Sequence, residues 1–517
     1  MPKWPRYPTI YEVDTWVWLS DLSKSGTSVD LSCVPSAEWD AMAAYGFDAV
    51  WLMGVWERSP AGIAITNRNQ SLLEDFRRAL PDFQLQDNVG SPYCVRRYVV
   101  DKHLGGLAGL AVARQELSKR GINLILDFVP NHVAPDHPWV QAHPEYFVRG
   151  NAGDASRDPA SFVDIAGSVY ACGRDPYFPA WPDVLQLNAF QPGLRQAVID
   201  TISGIANQCD GIRCDMAMLL LNPIFERTWG NRAGPRPATE YWTDVIPAIK
   251  KEHPAFLFIA EAYWDLEWEL QQKGFDFCYD KKLYDRLEHC NAENIRLHLS
   301  ADLAYQQKLL RFVENHDEPR AAATFSPDKE RAAAVTMATL PGGRLFHEGQ
   351  FVGRKIRPPV FLGRRPEEPS NHELQAFYTT LLEAINSPVF RDGQWTLCER
   401  TGWPDNASFQ NLVAWVWEKD DERCLIIVNL SDTTVQSRVR IPWRDLTGKA
   451  WRLSDALSGA IYDRDGDEML APGLYVEVGP WSSNLFQCSR LQTRGNRDAG
   501  EVEPVSLAAR DFAISEK

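Results

Sequence analysis

The sequence predicts an α/β protein built on a (β/α)8 TIM barrel, with a small domain inserted after the third strand and an antiparallel β-domain at the C-terminus. Three observations carry this. Short apolar strands alternate with helices along residues 1–390, as eight strand-then-helix units do in such a barrel. After about residue 387 the apolar pattern changes to period two, the mark of half-buried antiparallel strands. No G-x-G-x-x-G or P-loop sequence follows the first strand, against the doubly wound alternative. The expected organisation is a barrel over 1–390, an insertion over 133–182, a β-sandwich over 391–490 and a tail over 491–517.

The elements follow in order. Residues 11–19, rich in aromatic and branched side chains, read as the first strand, and 37–45 as a helix that Gly46 stops. A second apolar strand covers 49–56. From 57 to 88 the chain is polar, with Gly, Pro, Asn and Arg, and reads as one long functional loop. It runs into a turn at Gly90-Ser91-Pro92-Tyr93. Residues 107–120 form a helix, and 123–129 a third strand, apolar nearly throughout as a strand buried on both faces should be. Residues 133–182 are loop-like, with many Pro, Gly, Asp and aromatic residues. A helix over 192–207 precedes the fourth strand, 211–216. Strands at 256–260, 275–279, 309–313 and 344–347 then alternate with helices at 238–251, 266–273, 329–340 and 373–385. Period-two strands follow at 412–417, 424–429, 437–441 and 474–478, and the polar tail is expected to fray.

Composition narrows the function. With 517 residues and 44% apolar content the chain has a sizeable core. Its net charge of −15 argues against nucleic acid or an anionic membrane as partner. No apolar run reaches the ~20 residues of a membrane span, and the first residues lack the apolar core of a secretory signal. The ten cysteines show no C-x-x-C pair and no zinc spacing. Buried free thiols in a reducing cytoplasm are the expectation. The nineteen tryptophans suit both a core and stacking on sugar rings.

In a barrel of this kind chemistry sits at the C-terminal ends of the strands. Four of those ends carry polar groups: Asp127, Asn131 and His132; Arg213 and Asp215; Glu261; His316 and Asp317. Arg213 and Asp215 are two apart on a strand and share a face, so the guanidinium can hold the carboxylate ionised and oriented. Glu261 emerges from apolar Phe258-Ile259-Ala260, where burial would raise its pKa and keep it protonated. A protonated Glu facing an ionised Asp is the pair that cleaves a glycosidic bond.

The four blocks, DFVPNH, GIRCDMAML, FIAEAYW and FVENHDEP, resemble in order the four motifs of the α-amylase family of glycoside hydrolases, family 13. The resemblance covers roughly residues 5–488. It implies Asp215 as nucleophile with Arg213 as its charge partner, Glu261 as general acid/base, and Asp317 as the third carboxylate, gripping sugar hydroxyls. It implies His132 and His316 as hydrogen-bonding histidines at the cleaved bond, Asp127 as a structural acid supporting Arg213, and Tyr93 as the platform under the sugar. Residues 181–188 are similar to a further family motif at the end of the insertion. The implied mechanism is retaining, with the two carboxyl groups about 5–5.5 Å apart rather than the ~6.5–9.5 Å of an inverting pair. No cofactor is required. Calcium at Asn131 is left open, since its ~6–8 oxygen ligands cannot be assembled from the sequence, and no metal ligand is assigned.

Departures from the pattern bear on specificity. Met218 and Leu219 stand where many members have Lys-His on the acceptor side. Cys94 stands where many exo-acting glucosidases have an Asp that binds the terminal sugar. The 57–88 segment, with Arg58, Asn67 and Arg68, has no counterpart and is expected to shape a special subsite. His347-Glu348 is read as a structural pair. The expected substrate is an oligosaccharide or glucoside with α-linkages. The readings to separate are a retaining α-glycosidase, a transglycosylase of glucanotransferase or phosphorylase type, and a non-catalytic sugar-binding homologue.

Overall fold

The computed structural model describes residues 4–23, 28–289 and 291–491. Eight parallel strands close into a barrel: β1 (Thr9–Asp14), β2 (Ala49–Met53), β3 (Asn123–Phe128), β4 (Gly211–Cys214), β5 (Leu257–Ala260), β6 (Phe277–Tyr279), β7 (Leu309–Arg311) and β8 (Gly343–His347). All eight overlap segments the sequence pattern marks as strands. Every residue of β2, β3, β4, β5 and β8 is buried, because helices cover the outside and side chains fill the inside. The inside is a packed layer that includes Ile10, Trp51, Ile125, Ile259, Leu310 and Leu345.

Two local readings need correction. Residues 11–19 are not one strand: the chain leaves β1 at Asp14 and turns into the helix Thr15–Ser23. A continuous apolar run does not distinguish a buried strand from a buried helix. The 57–88 segment is not a structureless loop. It holds the helices Pro60–Thr66 and Gln70–Ala79, with Ser59 and Asn69 as N-caps whose side chains accept from Gly62 and Leu72 amides.

After β3 the chain builds a four-stranded sheet from His132–Val133, Phe162–Ile165, Ser168–Gly173 and Trp181–Gln186, then returns to the barrel through Pro192–Ala206. The C-terminal region is a six-stranded sheet facing a three-stranded one. Leu412, Ala414 and Val416 point between the two sheets, whereas Val413, Trp415 and Trp417 point toward the barrel. Both indoles of Trp415 and Trp417 donate to the Thr339 carbonyl at the end of the helix Pro327–Thr339, at 3.1 and 2.6 Å. The strands Ala450–Asp455, Ile461–Asp465 and Ser483–Arg490 add to those expected.

The tail expected to fray lies, beyond Leu491, outside the described residues. Of the ten cysteines, the nine described are unpaired; Cys33 is exposed and the others are buried. Among the described residues no helix is long and apolar enough to cross a membrane.

Candidate active site

The site is built where β4 runs beside β5. A Cβ on Gly211 would stand 2.8 Å from that of Leu257, so only glycine fits there. The register pairs Arg213 with Ile259 and Cys214 with Ala260, and Asp215 and Glu261 therefore leave neighbouring strands side by side. Arg213 is fully buried and boxed by the rings of Trp51, Tyr93 and Tyr279, each 5.2–5.6 Å from its Cζ. Three carboxylates converge on this guanidinium. Nη1 meets Asp215 Oδ1 at 2.9 Å, while Nη2 meets Glu261 Oε2 at 2.8 Å and Asp317 Oδ2 at 3.6 Å.

Glu261 also accepts from the Met216 amide at 2.6 Å and from the Tyr263 hydroxyl at 2.8 Å. Met216 takes a left-handed φ of 43° to present that amide, an uncommon conformation for a non-glycine residue. Burial, and next the charge on Glu261, push the Asp215 carboxyl up to about 8 against the pull of Arg213. Glu261 thus collects an amide, a phenol and a guanidinium, and Asp215 the same guanidinium.

Asp317 is governed by other neighbours. Burial opposes its ionisation, yet His316, Arg213 and Arg357 hold it down to about 2. His316 Nε2 lies 2.9 Å from Asp317 Oδ2 and 2.5 Å from the Tyr93 hydroxyl, and Nδ1 contacts the Glu12 carboxylate. Burial disfavours the imidazolium, but Asp317 and Glu12 raise its pKa well above the usual value and keep it charged. The ring of Tyr93 stacks on His316 at 5.5 Å.

The remaining expected residues fall nearby, in more modest settings. His132 is buried, tilted against Trp181 at 5.2 Å, and burial drives its pKa down to about 3, so it is neutral. Asp127 makes no ion pair with Arg213; it accepts from the Trp51 indole at 3.1 Å and the Gly54 amide at 2.7 Å, and reaches Arg213 only as a neighbouring charge. Asn131 is tied to Gln186 by reciprocal side-chain bonds of 3.2 and 2.9 Å. Among the described residues no group of three or more His, Cys, Asp or Glu side chains is arranged to hold a metal ion. His347 bonds Glu314, and Glu348 pairs with Arg365. Met218 and Leu219 are buried in the core and present nothing to an acceptor. Cys94 is buried too, its thiol bonded to the Asp183 carbonyl at 3.0 Å.

Sequence reasoning missed Glu12, Tyr263 and Tyr279. Glu12 had a visible signal, a carboxylate inside an apolar strand, but nothing in the sequence names its partner. Two cavities flank the carboxylates. One of about 540 Å³ lies beside His316 and Asp317, walled by Leu72 and Ala79 of the Gln70–Ala79 helix and by Ile356 and Phe361. The other, of about 500 Å³, lies beside Met216 and Tyr263 and is bounded by Phe178, Trp264 and Lys281.

The barrel is closed and parallel, and its buried carboxylates meet at the C-terminal mouth, where barrel enzymes do their chemistry. The model of the α-amylase catalytic domain matches residues 39–412, and the chain belongs to that family, glycoside hydrolase family 13. It is 23% identical over 466 residues to the α-amylase MalA of Haloarcula japonica, covering 87% of this chain but 60% of that protein. It is 28% identical over 232 residues to an α-1,4-glucan:maltose-1-phosphate maltosyltransferase of Bifidobacterium longum, covering 43% of this chain and 24% of that one. The chain thus spans less than two thirds of the length of these relatives. In fold it resembles the maltogenic α-amylase AmyB of Thermotoga neapolitana, with a TM-score of 0.66, 18% identity and coverage of 94% and 99%. The acarbose-complexed α-amylase of Geobacillus thermoleovorans gives 0.65, 17%, 94% and 99%.

Proposed function

We propose that the protein is a retaining α-glycosidase acting on α-glucans or α-glucosides through a covalent glycosyl–Asp215 intermediate. The observation that carries this reading is the meeting of Asp215 and Glu261 on two nitrogens of one guanidinium. Asp215 Oδ attacks the anomeric carbon while Glu261 delivers the pair's proton to the leaving oxygen. Glu261, now a base, takes a proton from water, whose oxygen displaces Asp215. With a sugar between them the proton has to sit on Glu261, the acid beside the leaving oxygen. Asp317, His316 and His132 hold the hydroxyls of the reacting ring, and Tyr93 lies under it. The chemistry needs no cofactor. Buried, unpaired thiols favour a reducing, cytoplasmic setting.

A transglycosylase is the second reading. The aromatic residues Tyr263, Trp264 and Phe178 around the 500 Å³ cavity beside Glu261 favour a sugar acceptor there, and one relative is a maltosyltransferase. The test is a screen of α-linked di- and oligosaccharides with anomer detection and product analysis. Release of α-anomeric product by hydrolysis supports the glycosidase, and redistribution of chain length supports the transferase. An initial product of inverted configuration defeats both.

A further inference from the structure

A second set of polar groups borders the carboxylates, and the chemistry above does not use it. Asp14 ends β1 two residues beyond Glu12, so the two carboxylates share the inner face of the barrel. Arg58 enters from the segment after β2 and is 7% exposed. Its Nε and Nη1 hydrogen-bond no protein acceptor, and its Cζ lies 5.7 Å from the ring of Trp16. The Trp16 indole N–H likewise meets no protein acceptor, and Glu12 Oε2 meets no donor. Asp14 accepts a single long bond, 3.4 Å from the Val17 amide. Burial pushes the Asp14 carboxyl up to about 6, with the Arg58 charge pulling the other way. Leaving so many buried polar atoms without partners is costly unless a ligand supplies them.

The set is joined to the reacting centre. A Cβ on Gly54 would stand 2.7 Å from Arg58 Nη2, and the amide of the same glycine holds Asp127. Glu12 holds His316 on the far side. Cys94, the residue after the platform, is packed under the Pro60–Thr66 helix, where a Cβ on Gly62 would touch its sulfur at 2.6 Å, and it cannot meet a sugar.

We infer that Asp14, Trp16 and Arg58 form the recognition site for the non-reducing-end sugar of the substrate, so that the enzyme works from chain ends. Guanidinium and indole only donate, and carboxylates only accept, whereas each sugar hydroxyl does both. That mixture fits a neutral polyol. A phosphate or carboxylate would have to sit against Asp14 and Glu12. The inference rests on Asp215 and Glu261 being the reacting pair.

The test compares maltooligosaccharides with free non-reducing ends, the same chains capped there by a 4,6-O-ethylidene group, and a cyclic α-1,4-glucan. The wild type is expected to process free chains at least a hundredfold more efficiently than capped or cyclic ones. Arg58→Met is expected to lower kcat/KM on free chains about tenfold or more and to pull the free-to-capped ratio toward one. Trp16→Phe, which removes one N–H and keeps the bulk, does the same to a smaller degree and carries the test if Arg58→Met fails to fold. Equal rates on free and capped chains overturn the inference and leave the proposed function standing, as does a ratio unchanged in folded variants. A wild type inert on every α-glucan and α-glucoside overturns the proposed function instead. The site is then judged by maltose binding to wild type and Trp16→Phe, and equal affinities overturn it.

Discussion

The two halves of the site treat the same functional group in opposite ways. On the β4–β5 side, Asp215 and Glu261 crowd one guanidinium, and Asp215 is pushed up to about 8. On the β7–β1 side, Asp317 lies near the same guanidinium but also beside His316, itself kept charged by Glu12, and it is held down to about 2. Burial disfavours the charged form in both. What separates them is the neighbouring charge: Asp215 shares one nearby cation with Glu261, whereas His316, Arg213 and Arg357 all surround Asp317. One half stores a proton and the other a fixed negative charge, which glycosidic cleavage through an oxocarbenium-like state requires together.

The largest expected effect breaks the proton-storing half. Asp215→Asn and Glu261→Gln are each expected to lower turnover by about three or more orders of magnitude, since each removes a bond-making or proton-transfer step. Single-turnover rates on an activated α-glucoside measure this, and near-normal rates in either variant would remove the pair from the chemistry. Next comes pH. The pair keeps its last proton up to about 8, so kcat/KM is expected to fall about tenfold per unit once pH rises beyond that value. A profile flat to pH 10 contradicts the shared proton. The fixed-charge half gives a smaller effect. Glu12→Gln removes one of the two carboxylates that raise His316. It is expected to cost about tenfold in kcat/KM, below the ~10²–10³ of deleting a direct donor, and to bring a His316 titration into the measured range. An unchanged profile would make Glu12 a mere filler of the barrel.

How much of this was legible in the chain differs between the same halves. Arg213 and Asp215 could be read as partners because they are two apart on one strand, where alternation fixes their common face. Glu261, His316 and Asp317 were visible as polar residues at the ends of apolar runs. The Glu12–His316 contact spans 304 residues, and no local rule reports it. Asp14 was lost for another reason: a largely apolar run continues from β1 into the helix Thr15–Ser23 without a turn signal, so the end of the strand did not show. The helices after β2 did carry their caps in sequence, at Ser59 and Asn69, and Gln70–Ala79 buries Leu73, Phe76 and Ala79 at helical spacing, a period overlooked because the stretch as a whole is polar. The partners of Glu261 were hidden for a similar reason: the Met216 amide and the Arg213 guanidinium reach it from the neighbouring strand and the turn after it.

The smallest expected effect is on stability, and it sharpens the comparison most directly. Asp215 has an ordinary unfolded value near 3.8 and a raised folded one near 8. A carboxyl whose pKa rises on folding binds its proton more tightly in the native state. Its ionisation therefore opposes folding, by an amount that grows as pH rises from about 4 and levels off above about 8. Asp215→Asn removes the titrating group while keeping its shape, and is expected to stabilise the fold by about 0.5–2 kcal/mol at pH 8, with less gain at pH 5. Asp317 titrates in the other direction: its depressed folded value adds stability above about 4, which is lost as pH falls toward about 2. Asp317→Asn is therefore expected to give no gain at pH 8. Thermal denaturation of both variants at pH 5 and 8 measures the difference. Equal shifts for the two would mean that burial alone, and not the count of neighbouring charges, sets the two halves apart.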